Sequence, residues 1–254
     1  MSVSKTVALV TGGSRGLGRD IALKLAAQGT AVIITYNTRK EEAMEVVEQI
    51  KQTGVHAVAL QLSTEDTSAF PAFFTTLAGM LEADFQTDRF DYLVNNAGIG
   101  LHMAYENTTE AQFDLLLNVL FKGVYFFTQQ ALQYLRDGGA IVNLSSRLAQ
   151  SGVPGYSAYA SMKGAVETLT RYQAKELGAR RIRVNAVAPG PTATDFGGGI
   201  VKDNAQFRAN VTALTALGRV GEPGDIGGVV AFLCTDAARW VTAQRIEVSG
   251  GMNI

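Results

Sequence analysis

The most constraining stretch of this chain lies near its start. A short β-branched apolar run at residues 6–10 breaks into Thr11-Gly12-Gly13-Ser14-Arg15-Gly16-Leu17-Gly18, and residues 20–28 resume with the apolar spacing of a helix. A buried strand that turns through glycines straight into a helix must pack that helix back on its own sheet. The same alternation recurs down the chain. Strand-like runs at 31–36, 55–62, 90–94, 140–144, 182–187 and 245–248 are separated by helical patterns at 41–52, 64–85, 109–135, 156–177 and 225–233. Strands alternating with helices of that length predict a parallel, doubly wound α/β sheet. No repeat, low-complexity stretch or linker divides the 254 residues, so one domain is expected over 1–254. In such sheets ligands bind outside the carboxyl ends of the strands. Thr11, Asn95 and Ser146 all fall at such ends.

The glycine turn carries the first chemical signal. Strand, glycines and helix N-terminus form the arrangement that receives a dinucleotide pyrophosphate, because the glycines let backbone approach the phosphates. The spacing is Gly-x-x-x-Gly-x-Gly, a variant of the general fingerprint, and alone it is weak. About 20 positions beyond the glycine loop, dinucleotide folds place an acidic residue that holds the adenosine ribose. Here that place reads Thr35-Tyr36-Asn37-Thr38-Arg39-Lys40, with no carboxylate. Arg15 and Arg39 supply positive charge instead, which points to NADP(H) over NAD(H). The plainer alternative is that Arg39 and Lys40 begin a solvated helix that pairs with Glu41 and Glu42.

The second signal lies in Asn143 to Lys163. Tyr159 and Lys163 share a helical face one turn apart, and Ser146 ends the apolar run before them. A phenol with an ordinary pKa of about 10 exchanges protons poorly near neutral pH. A neighbouring ammonium favours the phenolate and is expected to lower that pKa. A serine hydroxyl then holds a carbonyl or alkoxide oxygen in place. Tyrosine, lysine and serine would act as acid/base, tuner and positioner. By itself Tyr-x-x-x-Lys is also a common pairing of a half-buried ring with a solvated amine.

Composition excludes several alternatives. A net charge of -1 gives no basic field for nucleic acid. Two distant histidines and the one cysteine, Cys234, make no metal-ligand set, so no metal is expected. No segment approaches the roughly 20 apolar residues of a membrane span. Residues 1–5 are too short and polar for a signal peptide, so a cytoplasmic protein is expected.

Together these residues closely resemble the short-chain dehydrogenase/reductase family, a group with a Rossmann-type sheet. The matching positions are Thr11-Gly12-x-x-x-Gly16-x-Gly18, Asn95-Asn96-Ala97-Gly98, Asn118, Ser146, Tyr159-x-x-x-Lys163 and Pro189-Gly190-x-x-x-Thr194. The resemblance spans nearly the whole chain and implies reversible hydride transfer between NADP(H) and a carbonyl/alcohol carbon. It implies Tyr159 as catalytic acid/base, Ser146 as stabiliser of the substrate oxygen, and Lys163 as pKa tuner and ribose ligand. Asn118, which interrupts the 109–135 helix, would support a water relay. Gly12, Ser14, Arg15, Gly16, Leu17 and Gly18 would line the pyrophosphate and adenosine, with Tyr36, Asn37, Thr38 and Arg39 beside them. Asn95, Ala97 and Gly98 would meet the adenosine-side ribose and sheet edge. Pro189, Gly190, Thr192 and Thr194 would serve the nicotinamide half.

Two departures stand out. Leu62-Ser63-Thr64 replaces an aspartate that often touches the adenine, and Arg147 follows the catalytic serine where a small residue is usual. The pocket candidates Ile99, Leu101, Leu148, Val153, Tyr156 and Phe196 are mostly apolar, so a hydrophobic ketone is the expected substrate. Residues 190–215, with Gly197-Gly198-Gly199, read as a substrate lid. Reduction of a 3-oxoacyl group on an acidic carrier protein, helped by Lys202, Arg208 and Arg147, is the rival. A non-catalytic NADP(H) sensor is a third reading. The resemblance also implies a homotetramer built through the two long helices.

Overall fold

The computed structural model describes residues 6–254, so the stretch 1–5, read above as no targeting signal, lies outside the described residues. Seven strands form one parallel sheet in the order β3-β2-β1-β4-β5-β6-β7. They are β1 (Val7–Val10), β2 (Ala31–Tyr36), β3 (Ala57–Gln61), β4 (Phe90–Asn95), β5 (Leu135–Leu144), β6 (Arg183–Pro189) and β7 (Arg245–Val248). β1 and β2 are buried at every position. Continuous Val/Ile/Leu runs of this kind suit parallel strands covered on both faces.

Helices α1 (Gly16–Ala27), α2 (Lys40–Gln52) and α7 (Pro223–Leu233) cover one face, where Ile21, Leu25, Val46, Ile50, Ile226 and Val230 pack on the sheet. The opposite face is covered by α3 (Phe70–Phe85), α5 (Gly123–Ala131) and α6 (Ser157–Glu176), through Phe70, Phe74, Leu77, Phe127 and Ala174. The doubly wound sheet is therefore as the residue pattern predicts. Strand order reverses between β1 and β4, so their carboxyl ends diverge into a crevice.

One predicted element differs. The segment read as a single helix over 109–135 is α4 (Glu110–Leu117), a π-helical turn (Asn118–Lys122) and α5, and Leu135 already belongs to β5. Apolar residues continue across Leu132 and Leu135, so periodicity alone does not show where helix yields to strand. The polar Arg136-Asp137-Gly138-Gly139 stretch sits at a register shift between β4 and β5.

A buried polar network locks α5 and α6 onto the sheet. Asn95 donates to Asn143 Oδ1 at 2.8 Å and to Thr128 Oγ1 at 2.9 Å, while Asn143 donates to Thr170 Oγ1 at 2.9 Å and Gln173 Oε1 at 3.0 Å. An unpaired buried amide costs about 1–3 kcal/mol, so these contacts oppose sliding of the helices. The position of α6 along β5 is thereby set, and with it the side chains that α6 carries.

Among the described residues, no helix is long and apolar enough to cross a membrane and no group of acidic, His or Cys side chains is arranged to hold a metal.

Candidate active site

The crevice opens into a cavity of about 670 Å3 at the carboxyl ends of the strands. Its dinucleotide half begins with the glycine turn. Gly12 and Gly16 have positive φ, +66° and +56°. A Cβ at Gly12 would lie 2.9 Å from Ala97 Cα, so turn and β4 end approach as only glycine permits. Asn96 Nδ2 donates to the carbonyls of Thr11 and Gly12 at 2.9 and 3.0 Å, and Thr11 Oγ1 accepts from the Ala97 amide at 3.0 Å. These bonds stitch the turn to β4.

The N-terminus of α1 is open. No side chain caps it, and its first turn carries no acidic residue. Its free N–H groups and positive dipole end therefore face the cavity, as an anion requires. Arg15 and Arg39 stand on the same wall as Ser14, Asn37 and Thr38. Both guanidiniums are engaged. Arg39 donates to Glu42 at 2.8 Å and Arg15 lies 3.6 Å from Asp195. Both are well exposed, so these pairs are weak and a phosphate can displace them. Open backbone donors, two exposed cations and no carboxylate ending β2 fit a 2′-phosphorylated dinucleotide.

The reacting half is built by β5 and α6. Ser146 follows β5 and caps a short 3₁₀ turn, its Oγ accepting from the Leu148 amide at 3.2 Å. Tyr159 and Lys163 project from α6 toward it, all three side chains being buried. Burial pushes the Tyr159 phenol up to about 12, while its hydrogen bond with Ser146 pulls the other way. Burial also brings the Lys163 ammonium down to about 8. Lys163 Nζ donates to the Leu144 carbonyl at 2.7 Å and lies 5.8 Å from the centre of the Tyr159 ring. The expectation that lysine lowers the tyrosine pKa is therefore not met. Desolvation dominates, because the ammonium is held by a backbone carbonyl and not by the phenol.

A pH dependence follows. The phenol stays protonated, and so able to donate, through neutral and mildly alkaline pH. Lys163 carries its charge below about pH 8 and loses it above. The reductive kcat/KM is expected to be level below pH 8 and to fall as pH rises past it, since this parameter reports groups of the free enzyme. A profile level to pH 10 would show that the lysine stays charged.

Of the expected site residues, Gly12, Ser14, Arg15, Gly16, Leu17, Gly18, Tyr36, Asn37, Thr38 and Arg39 all line the cavity. So do Ala97, Gly98, Ser146, Tyr159, Lys163, Pro189, Gly190, Thr192 and Thr194. Two do not. Asn95 turns into the sheet, where its amide holds Thr128 and Asn143, and the adjacent Asn96 takes the wall position. Asn118 starts the π-turn, its carbonyl accepting from the Gly123 amide, and it is Val119 that reaches the wall. Leu101 also points elsewhere, into the cluster beneath Leu116 and Met162.

His102 and Met252 are wall residues that sequence reasoning did not find. His102 packs edge-on to Tyr156 at 5.0 Å between ring centres. Neither carries a motif signal, since a loop and the C-terminal tail bring them in from distant sequence.

A family model described as enoyl-(acyl carrier protein) reductase matches residues 12–253. The chain is 37% identical over 261 residues to the hydroxynaphthalene reductase-like protein Arp2 of Metarhizium brunneum, covering 98% of this chain and 96% of that one. It is 39% identical to the 3-oxoacyl-[acyl-carrier-protein] reductase FabG of Staphylococcus aureus, over 99% of both. It also overlays the crystal structure of the angucycline C-6 ketoreductase LanV with bound NADP, with a TM-score of 0.93, 37% identity, and 99% and 96% of the two chains covered. The chain belongs to the short-chain dehydrogenase/reductase family. In this chain Ser146, after β5, and Tyr159 and Lys163, on α6, line one cavity.

Proposed function

We infer that this short-chain dehydrogenase/reductase is an NADPH-dependent ketoreductase that reduces a hydrophobic, ring-bearing ketone to the alcohol. The observation that carries this is the convergence of the buried Ser146 and Tyr159 hydroxyls on one end of a cavity whose other end is an open, cationic helix N-terminus. NADPH, when bound, supplies the hydride. Tyr159 gives its proton to the carbonyl oxygen, and Ser146 holds that oxygen through the transfer. Lys163 binds the ribose and keeps positive charge near the phenolate that remains. With Asn118 off the cavity wall, a part for it would run through the backbone of the π-turn. Relatives named for hydroxynaphthalene and for angucycline C-6 ketoreduction, the latter holding NADP, support the reading.

The substrate end is aromatic. Phe196 lies 6.0 Å from the Tyr159 ring centre, Tyr156 6.5 Å, and His102 backs Tyr156. Flat rings slide between such faces with favourable edge and offset contacts. Phe196 comes from the 190–215 segment, which we take as the lid. Gly197, Gly198 and Gly199 hinge it, all at positive φ, and Ile200, Val201, Phe207 and Val211 extend the apolar wall.

The carrier-protein reading has the FabG identity in its favour, but the three cations it would dock on are engaged within the chain. Lys202 is paired with Asp195 at 2.9 Å, Arg147 is half-buried and paired with Glu247, and Arg208 is partly buried against the Val201 carbonyl. A sensor would not require a complete Ser146–Tyr159–Lys163 trio. NADPH and NADH oxidation measured against aryl ketones, alkyl ketones and carrier-bound 3-oxoacyl thioesters separates these readings. Turnover of aryl ketones with NADPH is expected. Turnover of the thioester alone would favour the carrier-protein enzyme, and binding without turnover the sensor.

The protein acts in the cytoplasm as a homotetramer on this reading. Phe113, Tyr125, Phe126 and Tyr172 stand exposed on α4, α5 and α6, an apolar surface for copies of the chain to cover. Sedimentation at micromolar concentration is expected to show four subunits, and a monomer would refute this.

A further inference from the structure

The backbone on both sides of Ser146 is tied down by charge. On one side Ser145 Oγ donates to Glu167 Oε1 at 2.7 Å. Glu167 is buried on α6, one turn beyond Lys163. It also accepts from Arg245 Nε at 2.8 Å and Gln150 Nε2 at 3.2 Å. Arg245, on β7, donates to Glu247 Oε2 at 3.0 Å. Glu247 Oε1 in turn lies 3.3 Å from Arg147 Nε, on the other side of the serine. Arg147 Nη2 donates to the Met252 carbonyl at 2.9 Å. Met252 is a wall residue of the cavity and bridges to Thr215, at the end of the 190–215 segment. A continuous chain of four charges thus runs from the helix of Tyr159, round Ser146, to the C-terminal tail.

Such a chain is a poor investment in stability. Burying ions forfeits hydration, and apolar side chains of similar volume often serve as well or better. Here two N–H groups, Arg147 Nε and Arg245 Nη2, are buried without a hydrogen-bond partner, which adds to the cost. What the chain does supply is direction where it hydrogen-bonds, from Arg245 to Glu167 and Glu247 and from Arg147 to the Met252 carbonyl, with an ion pair joining Arg147 to Glu247.

We propose that the Glu167–Arg245–Glu247–Arg147 chain is a positioning device that fixes Ser146 relative to Tyr159, with Arg147 its end at the C-terminal tail. The proposal rests on the reading that Ser146 holds the substrate oxygen. Arg147 itself touches neither reacting atom. It acts through the serine between it and Ser145.

The test uses the full-length protein with NADPH and 1-tetralone as the ketone. Arg147→Met keeps volume and removes the charge. Glu247→Gln loosens the same link from its more exposed end, and serves alone if the methionine variant does not fold. Both are expected to lower kcat by about tenfold or more, because small misplacements of reacting groups are costly. KM, NADPH affinity by fluorescence and melting temperature are expected to stay near wild type, and Arg147→Lys to recover part of kcat. A merely structural role would instead move melting temperature and NADPH affinity together with kcat. Wild-type kcat in the folded variants, or a loss that follows NADPH binding, would overturn the proposal. Ser146→Ala run alongside separates the two levels. If it is inactive and Arg147→Met is not, only the positioning role fails. If it keeps full activity, the reading of Ser146 fails and the proposal with it.

Discussion

Replacing Tyr159 with phenylalanine is expected to lower ketone-dependent kcat by about a thousandfold, within the range that a positioned general acid contributes. The substitution removes one oxygen from a ring that is buried against Tyr156 and Phe196, so packing changes little. What it removes is the hydroxyl that lies beside Ser146 at the reacting end of the cavity. NADPH should still bind, because the glycine turn, the α1 N-terminus and Lys163 are untouched. Stopped-flow or steady-state NADPH oxidation, with fluorescence titration of NADPH, reads both quantities. Retention of more than about a tenth of wild-type kcat would mean that the proton comes from elsewhere, since loss of a true general acid costs at least a hundredfold.

Asn37→Asp is the second large effect. Asn37 follows β2 on the cavity wall beside Arg39, and its carbonyl accepts from Gln61 Nε2 at 3.0 Å, which fixes the backbone there. A carboxylate at that point would face the 2′-phosphate of NADPH but could accept from the free ribose hydroxyls of NADH. Like-charge juxtaposition in a binding site costs several kcal/mol. At about 3 kcal/mol, kcat/KM with NADPH falls about a hundredfold, and less at high salt because the position is exposed. The value with NADH is expected to hold or rise. The ratio of the two kcat/KM values, measured with one ketone, checks this. An unchanged ratio would place the 2′-phosphate away from β2.

Much of the fold was legible because parallel strands buried on both faces leave unbroken apolar runs, and the glycines sit where only glycine fits. The seven strands of the sheet follow the seven runs, and the wall of the dinucleotide half follows the Thr11–Gly18 turn. Arg39 shows where one dimension stops. Its two readings, a phosphate ligand and a solvated helix partner of Glu42, both describe the structure, since it lines the cavity and pairs with Glu42 at 2.8 Å. Asn95 and Asn96 show the same limit at the scale of one residue. Both are asparagines at a strand end, and only the direction of the pleat sends one into the sheet and the other to the wall.

The sheet, the glycine turn, the lack of a carboxylate after β2 and the placing of Tyr159 and Lys163 on one face of α6 all follow from the order of residues. Those are properties of neighbours in the chain, fixed by side-chain period and local backbone freedom. Which atoms meet across the site depends on packing between distant segments. Burial raises the Tyr159 pKa and lowers that of Lys163, Arg147 is drawn to Glu247 and Met252, and His102 is brought beside Tyr156. Desolvation and long-range ion pairing depend on what packs around a group, and in this chain those neighbours come from β7, the C-terminal tail and distant loops.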